Sequence, residues 1–191
     1  MFKFFAYLNR MKYIKRWSLM RSIREENIME HSQQVAVLSH ALALINNKIY
    51  GGNADITKTV LLAQYHEVGE VITGDLPTPI KYFNPEIQTA YKDLEKKACE
   101  RILNMLPEEL KEEYVEYVLP DPNSLEHKIV KAADRLAAYL KCVEEEKAGN
   151  SEFKKARLTI EKELKKSDLK CLDYYLKEFA PAYFLTLDEL D

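Results

Sequence analysis

The stretch Leu61-Leu62-Ala63-Gln64-Tyr65-His66-Glu67-Val68-Gly69-Glu70-Val71-Ile72 places one imidazole and two carboxylates within five residues of an otherwise apolar helical segment. Groups this costly to desolvate are seldom put there for packing. At helical spacing His66 and Glu70 lie about 40° apart on one face and Glu67 about 100° round, so the three can converge beside the helix. A neutral imidazole and a carboxylate are standard ligands for a divalent metal, and a further carboxylate nearby can act on a water held by that metal. Such a site needs more ligands from elsewhere in the chain.

Working outward, Asp55 or Thr57 caps this helix and Gly74 ends it. Upstream, Ile28, His31, Val35, Leu38, Leu42 and Ile45 recur at helical spacing before Gly51-Gly52 stops the run. His31 rides on that buried stripe, whereas His40 falls half a turn away, which makes His31 the ligand candidate of the two. Downstream, Gly74-Asp75-Leu76-Pro77-Thr78-Pro79-Ile80-Lys81-Tyr82 contains two prolines and is read as a stiff loop offering Asp75, Thr78 and Lys81 beside Glu70. Asn84-Pro85 then opens a long amphipathic helix through Ile87, Tyr91, Leu94, Ala98, Ile102 and Met105, and Pro107 opens another with Leu110, Tyr114 and Val118 inward. Ser124 caps a helix in which Asp134 is set among alanines and aliphatics. That aspartate requires a partner: a salt bridge to Lys131 or Arg135 and a metal are both open at this point.

At the N-terminus Phe5, Leu8 and Met11 mark a first helix that ends near Ile14 and delivers Arg16-Trp17. On spacing alone Trp17 reads as a core anchor and Arg16 as its solvated neighbour. Two amphipathic helices close the chain, through Phe153 to Leu164 and Leu169 to Phe179, and Glu144-Glu145-Glu146-Lys147 reads as a solvated helix end. With no strand-like alternation and no internal repeat, the expected fold is all-α, one domain over residues 1–191.

The net charge of -3 comes from 28 basic and 31 acidic residues mixed along the chain, so nothing marks a nucleic-acid polymer or a membrane surface as partner. No apolar run reaches the length of a signal-peptide core or a membrane span, and Cys99, Cys142 and Cys171 have no C-x-x-C spacing. Buried thiols in a reducing cytoplasm and a small-molecule substrate are the expectation.

His31, then His66 followed directly by an acidic residue, then Asp134 on a later helix, resembles the H…HD…D signature of the HD-domain metal-dependent phosphohydrolases. Arg16-Trp17, Glu30-His31-Ser32, Glu70 and the segment from Gly74 to Asn84 extend the resemblance to the bacterial 5'-deoxynucleotidase branch, over most of the chain. The resemblance implies a helical HD-domain bundle that hydrolyses deoxyribonucleoside 5'-monophosphates to deoxynucleoside and phosphate with one divalent metal ion, cobalt, manganese or similar, commonly as a homodimer. It implies His31, His66 and Asp134 as metal ligands, Glu70 as general acid/base, and Arg16, Trp17 and Asp75 lining the nucleotide pocket, where Trp17 disfavours a 2'-hydroxyl. Thr78 and Lys81 join the substrate-binding candidates from the adjoining loop, Lys81 as a second cation for phosphate beside Arg16.

The chain departs from that signature at its fourth ligand. The acid after the second histidine is Glu67, where the family has aspartate, and the extra methylene moves the carboxylate by about 1.5 Å at a site that tolerates roughly 0.5 Å. Two other readings therefore stand beside the nucleotidase: a helical phosphohydrolase for another nucleotide or phosphoester, and a protein that holds metal and nucleotide with weak turnover.

Overall fold

The computed structural model describes residues 1–191, and every regular element in it is helical. Ten α-helices follow in chain order: α1 Phe4–Leu8, α2 Ile28–Lys48, α3 Ile56–Tyr65, α4 Glu70–Thr73, α5 Thr78–Lys81, α6 Pro85–Leu103, α7 Glu108–Val118, α8 Leu125–Lys147, α9 Lys154–Leu164 and α10 Lys170–Glu178. Local chemistry sets the starts of the long ones. The side chains of Asn27, Asp55, Asn84 and Ser124 each accept an otherwise orphaned amide of the first turn of α2, α3, α6 and α8.

Helices α2, α3 and α8 pack on one another around Val35, Leu42, Leu62, Ile129, Leu136 and Leu140, with α9 and α10 closing the outer side through Ile160 and Leu172. A smaller cluster of Phe4, Ile28, Val68, Ile102 and Val118 joins the N-terminal turn to α6 and α7. Each fully buried aliphatic contributes about 1.5–3 kcal/mol of apolar transfer, so both clusters hold their helices firmly. His31 lies between Ile28 of the small cluster and Val35 of the large one, and His66 between Leu62 and Val68. The ionisable groups thus sit on the seam between two apolar bodies.

Several sequence expectations are corrected here. The opening stretch is not one helix: α3 ends at Tyr65, and residues 66–69 form a tight turn before α4. Amides in that turn bond three residues back, Val68 to Tyr65 at 3.1 Å and Glu70 to Glu67 at 3.0 Å, so successive side chains advance by about 120° rather than 100°. Gly69 permits the close approach to α6, since a Cβ there would lie 2.9 Å from Cys99 Sγ. Gly74, at φ 74 and ψ 163, then ends α4 in a conformation open essentially to glycine.

The proline-containing loop holds one helical turn, α5, because Pro79 falls in its first turn, where a missing N–H costs no hydrogen bond. Phe4, not Phe5, is the buried residue of α1, packed at 5.0 Å on the Tyr114 ring; α1 is too short for its periodicity to choose a face. Leu94 and Leu110 are exposed, since α6 and α7 are peripheral and bury only one side.

The largest misreading is Glu145. In place of a solvated end, its carboxylate is 2 % exposed and accepts the amides of Ile23 at 2.8 Å and Arg24 at 3.2 Å, Lys141 Nζ at 2.6 Å and Asn150 Nδ2 at 2.8 Å. Lys141 Nζ also donates to the Arg24 carbonyl at 2.5 Å. The segment from Lys15 to Asn27 is closed at its base by a single antiparallel bridge between those two residues and held at its tip by Glu145. That segment carries Arg16 and Trp17.

Candidate active site

Four side chains from three segments meet at the seam. Nε2 of His31 and of His66 and carboxylate oxygens of Glu67 and Asp134 all lie within 4.8 Å of one another. His31 Nε2 is 2.9 Å from Asp134 Oδ1 and 4.0 Å from Glu67 Oε1, which in turn is 3.2 Å from His66 Nε2. The tight turn after Tyr65 lets adjacent residues 66 and 67 address one point, and Glu67 reaches it despite its extra methylene. His40 is exposed on the far side of α2.

The donor set fits a divalent cation. His66 Nδ1–H donates to the Ala63 carbonyl at 2.7 Å, which leaves the Nε2 lone pair facing the cluster, and that buried nitrogen has no hydrogen-bond partner. Burial, reinforced by the Arg16 charge, holds His31 below its usual range and therefore neutral, as a ligand must be. Burial works against ionising Glu67 and Asp134, yet the His66 imidazole for the first and the His31 hydrogen bond for the second hold each well below the usual carboxylate range. Two imidazoles and two carboxylates suit zinc, cobalt, manganese or iron and leave coordination positions open.

The cluster floors a cavity of about 300 Å³. Arg16, Glu70, Asp75, Thr78 and Lys81 line it together with His66, Glu67 and Asp134. Glu70 is almost fully buried, and burial plus the neighbouring Glu67 and Asp75 carboxylates push its pKa up to about 10, against the pull of Lys81 Nζ at 3.3 Å. It is a carboxylic acid at neutral pH, able to donate a proton.

Arg16 is not a solvated neighbour. Its side chain is largely buried, with Nε 3.0 Å from Glu26 and Nη1 3.9 Å from Glu67. Trp17 does not itself line the cavity; it packs on Phe153 with ring centroids 5.3 Å apart and donates Nε1–H to Glu26 at 3.1 Å. Its φ of 58 is rare for a bulky residue. Local strain of that kind persists where the surroundings over-determine it, here the packing on Phe153 and the bond to Glu26.

Sequence reasoning missed Glu26 and Glu95, and offered Lys131 and Arg135 only as ion-pair partners for Asp134. Glu26 holds Arg16, Glu95 shares Lys81 at 3.5 Å, and Lys131 and Arg135 complete the cavity wall. Neither cation of α8 pairs with Asp134: Arg135 is bound to Glu163. The helical spacing of residues 131, 134 and 135 could have placed the two cations on the face of Asp134, but nothing local marks Glu26 or Glu95.

The bundle that carries this cluster has the fold of the HD-domain phosphohydrolases. An HD-domain phosphohydrolase from Listeria innocua has the same fold, with a TM-score of 0.83 at 20% identity over 95% of this chain and 88% of its own. The HD phosphohydrolase DatZ of cyanophage S-2L, solved with dA and one catalytic Zn2+ ion, matches with a TM-score of 0.62 at 19% identity over 93% and 95% of the two chains.

A family model described as 5'-deoxynucleotidase YfbR-like matches residues 3–183, and the chain belongs to that family. It is 52% identical over 190 residues to the 5'-deoxynucleotidase of Vibrio cholerae serotype O1, covering 98% of this chain and 97% of the relative. To 5'-deoxynucleotidase YfbR of Escherichia coli it is 48% identical over 188 residues, covering 98% and 94%.

Proposed function

We infer that this chain is a metal-dependent 5'-deoxynucleotidase, hydrolysing deoxyribonucleoside 5'-monophosphates to deoxynucleoside and phosphate. The observation that carries the reading is the four-donor cluster with the buried Glu70 carboxyl beside it in one cavity. Membership of a 5'-deoxynucleotidase family supports the substrate class. The dA and zinc bound by DatZ support a deoxynucleoside ligand and a single transition ion.

His31, His66, Glu67 and Asp134 hold the ion, which when bound acts as a Lewis acid on the phosphate and makes water acidic enough to supply the nucleophile. The remaining steps fall to the chain. Arg16, fixed by Glu26, presents a guanidinium to the phosphate oxygens and sets the angle at which phosphorus faces the cluster. As the bond from phosphorus to O5' breaks, the departing oxygen takes the proton of Glu70, whose carboxylate is then stabilised by Lys81. Asp75 and Thr78 bind the deoxyribose side of the substrate, and Trp17, held with Arg16 on Glu26, shapes the wall that disfavours a 2'-hydroxyl.

Phosphate release from a panel of deoxy- and ribonucleoside monophosphates, with cobalt, manganese, magnesium or zinc, tests the assignment. Release from deoxynucleotides is expected; nucleotide binding without release under any ion would sink it. Glu70→Gln should lower kcat by about 100- to 10,000-fold with the ion retained, since proton transfer is what it removes. Shortening the fourth ligand, Glu67→Asp, is expected to raise turnover by up to about tenfold or change the preferred ion, read as kcat with each metal. A fall with every ion would mean the cluster is built around the longer side chain.

The same reading makes the protein a cytoplasmic homodimer. No helix is long and apolar enough to cross a membrane, and the exposed Ile80, Tyr82 and Phe83 supply apolar surface beside the site. Sedimentation at micromolar concentration tests the dimer.

A further inference from the structure

Four cations line the cavity: Arg16, Lys81, Lys131 and Arg135. Three of them are already committed. Arg16 lies 3.0 Å from Glu26 and 3.9 Å from Glu67, Lys81 is 3.5 Å from the Glu95 carboxylate, and Arg135 is bound to Glu163. With Glu67 and Asp134 offset by a divalent ion, Asp75 still adds negative charge to the wall. A phosphate dianion that meets Arg16 here still lacks a cation whose charge is not shared with a carboxylate.

Lys131 is that cation. It forms no ion pair or hydrogen bond with the protein, its side chain lines the cavity, and it sits on α8 three residues before Asp134, on the same face of the helix. It also stands at the boundary with a second cleft, of about 610 Å³, which His127 and Lys128 line beyond it. An unpaired ammonium on a four-carbon stem, anchored one turn from a cluster ligand, can swing into the cavity without breaking any existing bond.

We propose that Lys131 is a phosphate-binding residue of this site, its ammonium donating to a non-bridging oxygen of the substrate's 5'-phosphate and holding the phosphate ion after cleavage. The proposal rests on the nucleotidase reading for its substrate, and its test does not depend on turnover. Calorimetric titration of the cobalt-loaded protein with inorganic phosphate should give, for Lys131→Gln, an affinity lower by about tenfold or more, the usual scale for one hydrogen bond to a charged group. Titration with deoxyadenosine, which has no phosphate, should be unchanged, and Lys131→Arg should recover most of the loss.

In turnover, Lys131→Gln should raise KM for deoxyadenosine monophosphate while kcat stays within about threefold, the pattern of binding shared by ground and transition states. Lys128→Gln, which removes an equal charge one turn earlier outside the cavity, should leave phosphate affinity within about twofold at moderate salt. Phosphate affinity unaffected by Lys131→Gln, an equal loss in Lys128→Gln, or no phosphate binding by the unsubstituted protein would each overturn the proposal. Wild-type protein that binds phosphate but leaves deoxynucleotides intact would overturn the nucleotidase reading alone, with Lys131 still measured by titration.

Discussion

Asp134→Asn is expected to strip the protein of its ion and lower kcat by about 1,000-fold, corresponding to the several kcal/mol that a Lewis acid contributes to a phosphoryl transition state. Asparagine keeps the shape and one carbonyl oxygen but removes the charge, so the fold should persist. Asp134 shares a 2.9 Å hydrogen bond with His31 that holds its carboxylate well below the usual range, so its ionised form stabilises the fold even without a cation. Melting temperature without added ion should therefore fall in the variant. Added cobalt should stabilise the wild type by about 2.7 kcal/mol at a concentration 100 times Kd, and the variant hardly at all. His40→Ala, on the exposed side of α2, is the matched control and should retain both ion and activity. An Asp134→Asn protein that kept its ion by equilibrium dialysis would remove Asp134 from the ligand set.

Much of this architecture is legible in the amino-acid sequence. The caps at Asp55, Asn84 and Ser124 and the 3.6-residue periods of α2, α6 and α8 are local signals, and local chemistry sets those boundaries. His31 and Asp134 stand out because a polar group on an apolar helical face is costly wherever the fold finally places it. The break after Tyr65 is not legible, since apolar residues continue at helical spacing through Ile72 and the cause lies in α6, where Cys99 presses on Gly69. The burial of Arg16 is hidden for the same reason. It depends on Glu26 across a closed segment and on Glu67 from the turn after α3. Pairings of this kind have no periodicity to read.

Glu145 carries the largest stability effect outside the metal cluster, and it links the core to the site. Replacing it with alanine removes a buried carboxylate that accepts four donors, leaves the Lys141 ammonium with only the Arg24 carbonyl, and orphans the amides of Ile23 and Arg24. A loss of about 3–5 kcal/mol in unfolding free energy is expected, whereas Glu144→Ala, exposed at the preceding position, should stay within about 0.5 kcal/mol. The pH dependence provides an independent readout. Burial opposes its ionisation, but the Ile23 amide, Lys141 and Asn150 outweigh that and hold Glu145 at about 2, below the roughly 4.3 of an unfolded glutamate. Because the folded value is the lower one, the unfolded state takes up the proton first as pH falls. The stabilisation, about 3 kcal/mol from this shift, is complete above about pH 5 and fades between about pH 4 and pH 2. The gap between wild type and Glu145→Ala in urea unfolding should narrow over that range, and a gap independent of pH would mean the carboxylate is not what holds the segment. At neutral pH, and below the melting temperature of the variant, the residual folded protein should show a raised KM, since the freed tip lets the strained turn at Trp17 relax and takes Arg16 with it.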